Sequence, residues 1–515
     1  MHFFPDIHFQ VRRNQLFTVI LYFLLIFSVL CIHGCVRQKI PLTGITMPLP
    51  DVGRVSRLFP GITETDLRNQ TWSQAFRQLH RRLEREYPFT DWKQIDWDAL
   101  YATTAPLIEE AQHNDDPEAY YLALRSYLYS IPDGQIQISD APEYRERAIG
   151  GGFGFAVAKL DNGQVVVHIL DENGPAAHTG MSWGAEILEW NGMPVHEAIA
   201  QTPILWAHVP PATHESRQLV RQRMLTRAPA GTKADITFRN PNATEPTSVT
   251  IFAVWDNYDI LLQSKSHRQY ASEFDSPINY EILPSGYGYL QVKFVAPTMT
   301  MPFPVRAFRS ALNQFVKEDV PGIILDVRGN IGGTFAYVPS FVGHFYSGPG
   351  FYENVAFYTR SSGTFEVDDA NRLIIEPRDP YYDGEIIVLV NEATIGSGEG
   401  IPLALKRLPN AQIMGLMGTH GSFGVAGGNI TMPRNISVLY PIGRSLDEAM
   451  NIQVDADAQG TGGIEPDIRL PINEHSLRMI YRQNIDYALT SAENWLDNQL
   501  GITRESSADN SDSDN

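Results

Sequence analysis

The sequence predicts a multidomain α/β protein, and three successive patterns carry that expectation. A stretch with helical periodicity runs from Thr71 to about Ile131, and a β-rich, glycine-punctuated stretch follows it. From about Tyr280 to Leu470, strands then alternate with helices, which implies a layer of parallel strands covered by helices. At 515 residues the chain exceeds what a single hydrophobic core organises. Its apolar content of 43% and charged content of 19% are those of an ordinary globular protein.

The N-terminal segment sets the compartment. Arg12 and Arg13 precede an unbroken apolar run, Leu16 to Ile32, that meets His33-Gly34-Cys35. A short basic region, an apolar stretch of this length and small residues at its end predict an export signal over residues 1–35. Ile32-His33-Gly34-Cys35 also resembles a bacterial lipobox, which implies lipidation of Cys35 and a membrane-anchored lipoprotein of the cell envelope. His33 departs from the small or aliphatic residue usual there, and an uncleaved transmembrane anchor is the alternative. Cys31 and Cys35 are the only cysteines, so the exported body holds no disulfide, no cysteine nucleophile and no zinc–cysteine site.

Residues 36–60, rich in Pro and Gly, read as a tether. Residues 61–148 form the helical part, with Phe76, Leu79 and Leu83 on one face and a second helical segment in "PEAYYLALRSYLYSI". Lys plus Arg number 40 against 59 Asp plus Glu, a net charge of −19, so nucleic acid is not an expected partner. No metal-ligand spacing and no nucleotide-binding loop occurs, and no cofactor is expected.

Between Ile149 and Trp255 come Gly152-Phe153-Gly154-Phe155, a strand in "QVVVHIL", then Gly174-Pro175-Ala176-Ala177, Gly180, Gly184, Ile187-Leu188 and Asn191-Gly192. Each glycine taken alone marks a turn. The ordered series resembles a PDZ domain over residues 149–255. The resemblance implies a loop, Gly152 to Phe155, whose N–H groups receive a peptide end, with the peptide added as a strand at a sheet edge.

Residues 256–475 hold the alternating elements. "GYGYLQVKF" is a strand, and "VRAFRSALNQFVK" is an amphipathic helix with Phe308, Ala311, Leu312 and Phe315 on one face. "GIILDVRGNIGG" is a buried strand entering a glycine turn, "AYVPSFVGHFYS" is helical, "GEIIVLVN" a strand, "GIPLALKRL" a helix and "AQIMGLMG" a strand. Residues 476–515 give one more helix, near Leu477 to Trp495, and the acidic tail "ESSADNSDSDN", too poor in apolar residues to fold.

Four segments carry a second resemblance: Tyr287–Phe294, Leu325-Asp326-Val327-Arg328-Gly329-Asn330 with Gly332-Gly333, Asn391–Glu399, and Gly462 to Ile468. In this order, behind a helical and a PDZ-like part, they resemble the tail-specific or C-terminal processing serine peptidases, with their tricorn-core and retinoid-binding-protein-repeat relatives. The resemblance implies a crotonase/ClpP-like ββα-spiral core, and hydrolysis at protein tails by a serine nucleophile. Its partners would be unfolded or C-terminal peptide segments. Such chemistry needs a nucleophile, a base and donors for the oxyanion. The resemblance implies that the Gly332-Gly333 turn supplies one donor and the residue after the nucleophile another.

The catalytic positions depart from the family. Its serine stands five residues after the Asn and three before the Glu; both counts, from Asn391 and Glu399, reach Gly396. Ser397 lies one residue on, where it either attacks, with Gly398 supplying the second oxyanion N–H, or caps the helix. The tricorn-like branch takes its histidine from an Asp-Gly-His turn, which here reads Asp133-Gly134-Gln135. The lysine of other members falls near Ser422, and Lys406, nine helical steps from Ser397, faces the opposite way. His420 is the one imidazole nearby, a base or a loop histidine without a role, and Glu465 orients it or is merely solvated. Two outcomes stand open: a peptidase built on Ser397 and His420, or an inactive peptidase fold that binds peptide ends.

Overall fold

In the computed structural model, which describes residues 64–265 and 276–503, the site is carried by a six-stranded sheet. Its strands are β1 (Ile278–Ile282), β2 (Gly288–Val292), β3 (Gly322–Asp326), β4 (Glu385–Leu389), β5 (Ala411–Gly415) and β6 (Ile468–Arg469), adjacent in chain order. Strand β1 is antiparallel to β2 and every later pair is parallel, so helices cross between them. Strands β3 and β4 are wholly buried or nearly so, as continuous apolar runs in a parallel sheet demand. The helix of "VRAFRSALNQFVK" spans Pro304–Lys317 and turns Phe308, Ala311, Leu312 and Phe315 into this core.

Three helices open the described chain: α1 (Trp72–Glu86), α2 (Trp97–His113) and α3 (Pro117–Tyr129). Each start is capped by a side-chain oxygen: Thr71 accepts from Gln74 N–H, Asp96 from Ala99 N–H, and Asp116 from Ala119 N–H. Phe76, Leu79 and Leu83 face inward from α1, where Phe76 meets Tyr127 edge-on with ring centroids 5.1 Å apart.

The segment from Gly151 to Trp255 forms a small β-rich layer. Its sheet runs Thr247–Phe252, Lys233–Arg239, Glu186–Trp190, Val165–Leu170 and Phe155–Lys159 in spatial order, which leaves Phe155–Lys159 at an edge. Helix α4 (His214–Leu225) lies against that edge, where Gln222 Oε1 accepts the Lys159 N–H at 2.9 Å.

Two features differ from the expected elements. A seven-stranded, largely antiparallel sheet, led by Gly350–Thr359, Val425–Met432 and Ile436–Leu446, escaped the alternation pattern. Its period is broken by register shifts around Ala426 and Gly428 and by Pro441 within the strand. The single C-terminal helix is two, α7 (Glu474–Tyr481) and α8 (Tyr487–Leu500) once the helices Pro304–Lys317 and Ser397–Leu405 are numbered α5 and α6. Asn484 breaks the run at φ 54°, and Asp486 then caps α8.

All described residues fall within one compact unit, Thr46–Asn515, and no helix among them is long and apolar enough to cross a membrane. The expected signal segment with Cys35, the tether and the acidic tail lie outside the described residues.

The helical part is fastened to the sheet region by a buried ion pair. Lys93 Nζ stands 2.7 Å from Asp455 Oδ1, both side chains fully enclosed, and also donates to Ala456 O. Burial pushes the Asp455 carboxyl up, against the pull of the Lys93 ammonium. Breaking such a pair leaves one bare charge in the interior. Lys93→Met is therefore expected to cost roughly 3–5 kcal/mol in chemical denaturation. Adding Asp455→Leu should recover most of that loss; an unchanged Lys93→Met midpoint would remove the pair from the account.

Candidate active site

The three loops that follow β3, β4 and β5 meet at the carboxyl ends of adjacent parallel strands, the usual place for a site in such a sheet. The loop after β3 is set by Arg328. Its guanidinium pairs with Asp326 (Nη2 to Oδ2, 2.7 Å) and with Asp486 at the start of α8 (Nη1 to Oδ1, 2.7 Å). Asn330, wholly buried, accepts the Gly332 N–H and donates to Val292 O, which holds the Gly332-Gly333 turn in place. A Cβ on Gly333 (φ 141°) would stand 2.5 Å from Val295 O, so only glycine fits there.

The loop after β4 is stitched to the first. Asn391 Oδ1 accepts the Gly329 N–H, Thr394 Oγ1 donates to Val327 O, and Ile395 N–H donates to Asn330 O. It ends in a sharp strand-to-helix turn at Gly396, φ 58° and ψ −131°, from which α6 starts at Ser397. This left-handed, strained turn is the geometry in which a nucleophile elbow presents its side chain. Gly396 has none. A Cβ built on it would point at Gln135, 2.5 Å from Nε2, with Gly332 Cα at 3.9 Å.

Gln135 is held in turn. Its N–H donates to Asp133 Oδ1, Asp133 Oδ2 takes the Tyr87 hydroxyl at 2.8 Å, and Gln135 Nε2 reaches Ser422 O at 3.3 Å. The two positions reached by counting along the sequence thus face each other across the site, one without a side chain and one an amide.

Glu399 binds the elbow to the third loop. Fully buried, it accepts from Gly396 N–H (3.1 Å) and Ser422 N–H (3.2 Å) on one oxygen. On the other it accepts from Thr419 Oγ1 (2.6 Å) and Gly421 N–H (2.8 Å). Thr419 Oγ1 accepts the Ile464 N–H, so the Gly462–Ile468 segment joins the same network. Burial raises the Glu399 carboxyl to about 8, while its donors pull the other way.

Several expectations need correction. The Ser397 hydroxyl neither caps α6 nor meets an imidazole; it donates to Gly333 O at 3.2 Å, and the capping contact at Gly396 N–H comes from Glu399. His420 is buried against Gly134, with Nδ1 3.0 Å from Ser422 Oγ, so it forms no pair with Ser397. Burial first, then the Lys93 and His208 charges, hold its pKa down at about 3. The Gly398 N–H is engaged with Ile395 O, whereas the N–H groups of Ser397 and Gly333 donate to nothing among the described residues. Two unengaged N–H groups, those of Ser397 and Gly333, thus lie at the Gly396 and Gly332-Gly333 turns, and Gly398 is not one of them. Glu465 is largely exposed and pairs with Arg469 at 3.2 Å, and Lys406 pairs with Asp467 at 2.7 Å, both apart from the elbow.

Phe153 and Phe155 lie in the core of the β-rich layer, while Gly152 pairs with Arg227 and Val254. Sequence reasoning missed Glu399 as a tie between loops; an acid three residues after a helix's first cap is the capping-box signal that would have found it. No cluster of three potential metal ligands occurs among the described residues.

At Gly396 the expected cost of a side chain is specific. Gly396→Ser should destabilise by roughly 1–3 kcal/mol, from the positive φ and the clash with Gln135 together. Adding Gln135→Ala should return the clash portion only. A neutral Gly396→Ser in thermal melts would mean that the turn is not as described.

With this geometry in hand, the chain's relatives are informative. The sequence profile of Peptidase family S41 matches residues 287–470, and that of the Tricorn protease C1 domain matches residues 68–117. No curated protein matches the sequence significantly. Among solved structures, mature CPAF superposes with a TM-score of 0.56 at 15% identity, over 84% of this chain and 99% of that one. Mature CPAF complexed with lactacystin gives 0.55 at 14%, over 84% and 99%, and a CPAF mutant 0.58 at 14%, over 85% and 98%. These likenesses establish the fold. Residues 287–470 are thus similar to peptidase family S41 and residues 68–117 to the tricorn protease C1 domain, in a fold shared with CPAF.

Proposed function

We propose that this chain holds peptide segments in a peptidase cleft without cutting them, as an exported, membrane-anchored lipoprotein of the C-terminal processing type. The observation that carries the reading is the elbow: Gly396 keeps the backbone of a nucleophile turn, bears no nucleophile, and faces Gln135. A carboxamide cannot take a proton from an attacking group, so neither half of the acyl-transfer pair is present there. The free N–H groups of Ser397 and Gly333 still suit a peptide carbonyl. The edge strand Phe155–Lys159 behind the Gly152–Phe155 loop supports peptide capture by strand addition in a PDZ-like manner.

A second reading, hydrolysis at protein tails with Ser397 as nucleophile, draws on its partly exposed place beside the Gly332-Gly333 turn. It requires the hydroxyl to leave Gly333 O and a base to reach it, since His420 is turned to Ser422.

Incubation of the purified chain with an unstructured protein and a serine-reactive phosphonate separates the two. Binding of tail peptides with no new peptide ends and no phosphonate adduct is the expected result. Turnover that disappears in Ser397→Ala would establish the peptidase instead. For the anchor, labelled palmitate should enter the wild-type chain and be absent from Cys35→Ser, which should also leave the membrane fraction. Retention of label in Cys35→Ser would end the lipoprotein reading.

A further inference from the structure

Helix α4 and the residues just after it carry four arginines, of which two are satisfied. Arg223 pairs with Glu392 at 2.9 Å, and Arg227 forms a two-pronged pair with Asp256 at 2.6 and 2.7 Å. Arg217 and Arg221, one helical turn apart, have neither an ion pair nor a side-chain hydrogen bond among the described residues. Both side chains are half-buried, and the Nε atom of each is shut off from solvent without a partner. Burial, and then repulsion from Arg221, lower the Arg217 pKa. Glu215, the acid on the same helix, is already committed to Arg469 and to Gly418 N–H.

In a chain of net charge −19, two adjacent guanidinium groups without a counter-ion are a conspicuous vacancy for carboxylates. We propose that the Arg217–Arg221 pair is the docking site of the chain's own acidic segment 504–515. Its Glu505, Asp509, Asp512 and Asp514 stand against the single base Arg504.

Reach supports this occupant. The Tyr481 hydroxyl at the end of α7 and Arg223 Nη2 on α4 both donate to Ser264 O, at 3.2 and 3.4 Å, so α7 ends beside α4. Residues 482–486 and then helix α8, 14 residues and roughly 21 Å long, carry the chain onward from there. A twelve-residue chain spans at most roughly 40 Å, nearly twice the length of α8. Arginine forks match carboxylates in geometry as well as charge.

The test adds a fluorescein-labelled peptide of the sequence 504–515 to the full chain and to variants of it, read by anisotropy at low salt. In one variant Glu505→Gln, Asp509→Asn, Asp512→Asn and Asp514→Asn remove the charge of the resident segment. That variant should bind the peptide about tenfold more tightly than the wild type, whose own segment competes. Arg217→Gln with Arg221→Gln in the same background should lose at least tenfold, and raised salt should weaken binding to the neutral-tail chain. Because neither arginine has a partner to lose, the double arginine variant should melt no lower than its parent, which separates lost docking from lost folding. Equal binding by wild type and neutral-tail chain, or binding indifferent to the two arginines, would overturn the proposal. Competition that grows with protein concentration would also overturn it, by assigning the site to the segment of a second copy.

Discussion

The site depends on one buried carboxylate. Glu399 gathers donors from the elbow, from Thr419 and from the Gly421-Ser422 backbone, and so fixes two loops that no regular strand pairing connects. Each of these N–H groups would be costly to bury unpaired, and Glu399 answers three of them at once. The strained φ of Gly396 persists because this network, with Asn330 and Asn391 on the other side, over-determines it. The tripeptide turn Asp133-Gly134-Gln135 is drawn into the same structure, since Gly134 N–H donates to Ser422 Oγ.

Such a framework fixes the shape of a catalytic centre independently of its chemistry. The turn, the unengaged N–H groups of Ser397 and Gly333 and the facing side chain all occupy definite places, with Gly396 at the turn and Gln135 opposite it. His420, expected as a base or a loop histidine without a role, and Ser422, at the family's lysine position, meet each other in a buried contact, and Ser422 Oγ also accepts the Gly134 N–H. A buried, neutral imidazole of this kind stabilises the loop through its contact with Ser422. The enclosed Lys93–Asp455 pair extends the same polar interior to the helical part, through Phe423 N–H on Asp455 Oδ2.

How legible this was in the sequence followed the type of signal. Strands β3 and β4 and the helix Pro304–Lys317 were readable because burial imposes continuous apolar runs or a 3.6-residue period. The position of Gly396 was readable too, since the count from Asn391 and the count from Glu399 agree without a gap. The antiparallel sheet was not, because bulges near Ala426 and Gly428 interrupt the alternation that marks strands. Nor did the sequence reveal where Ser397 and His420 point. That depends on contacts with Gly333 and Gly134, set by loops 60 to 290 residues away, as the 64-residue separation to Gly333 and the 288 between Gly134 and Ser422 show.

The central claim is that no side chain of this centre attacks a carbonyl-like group. A tail peptide ending in a boronic acid tests it directly, because boron-11 resonance distinguishes trigonal boron from the tetrahedral adduct that a serine oxygen forms. Bound peptide with boron still trigonal is the result this account requires. A tetrahedral signal that vanishes in Ser397→Ala would contradict it.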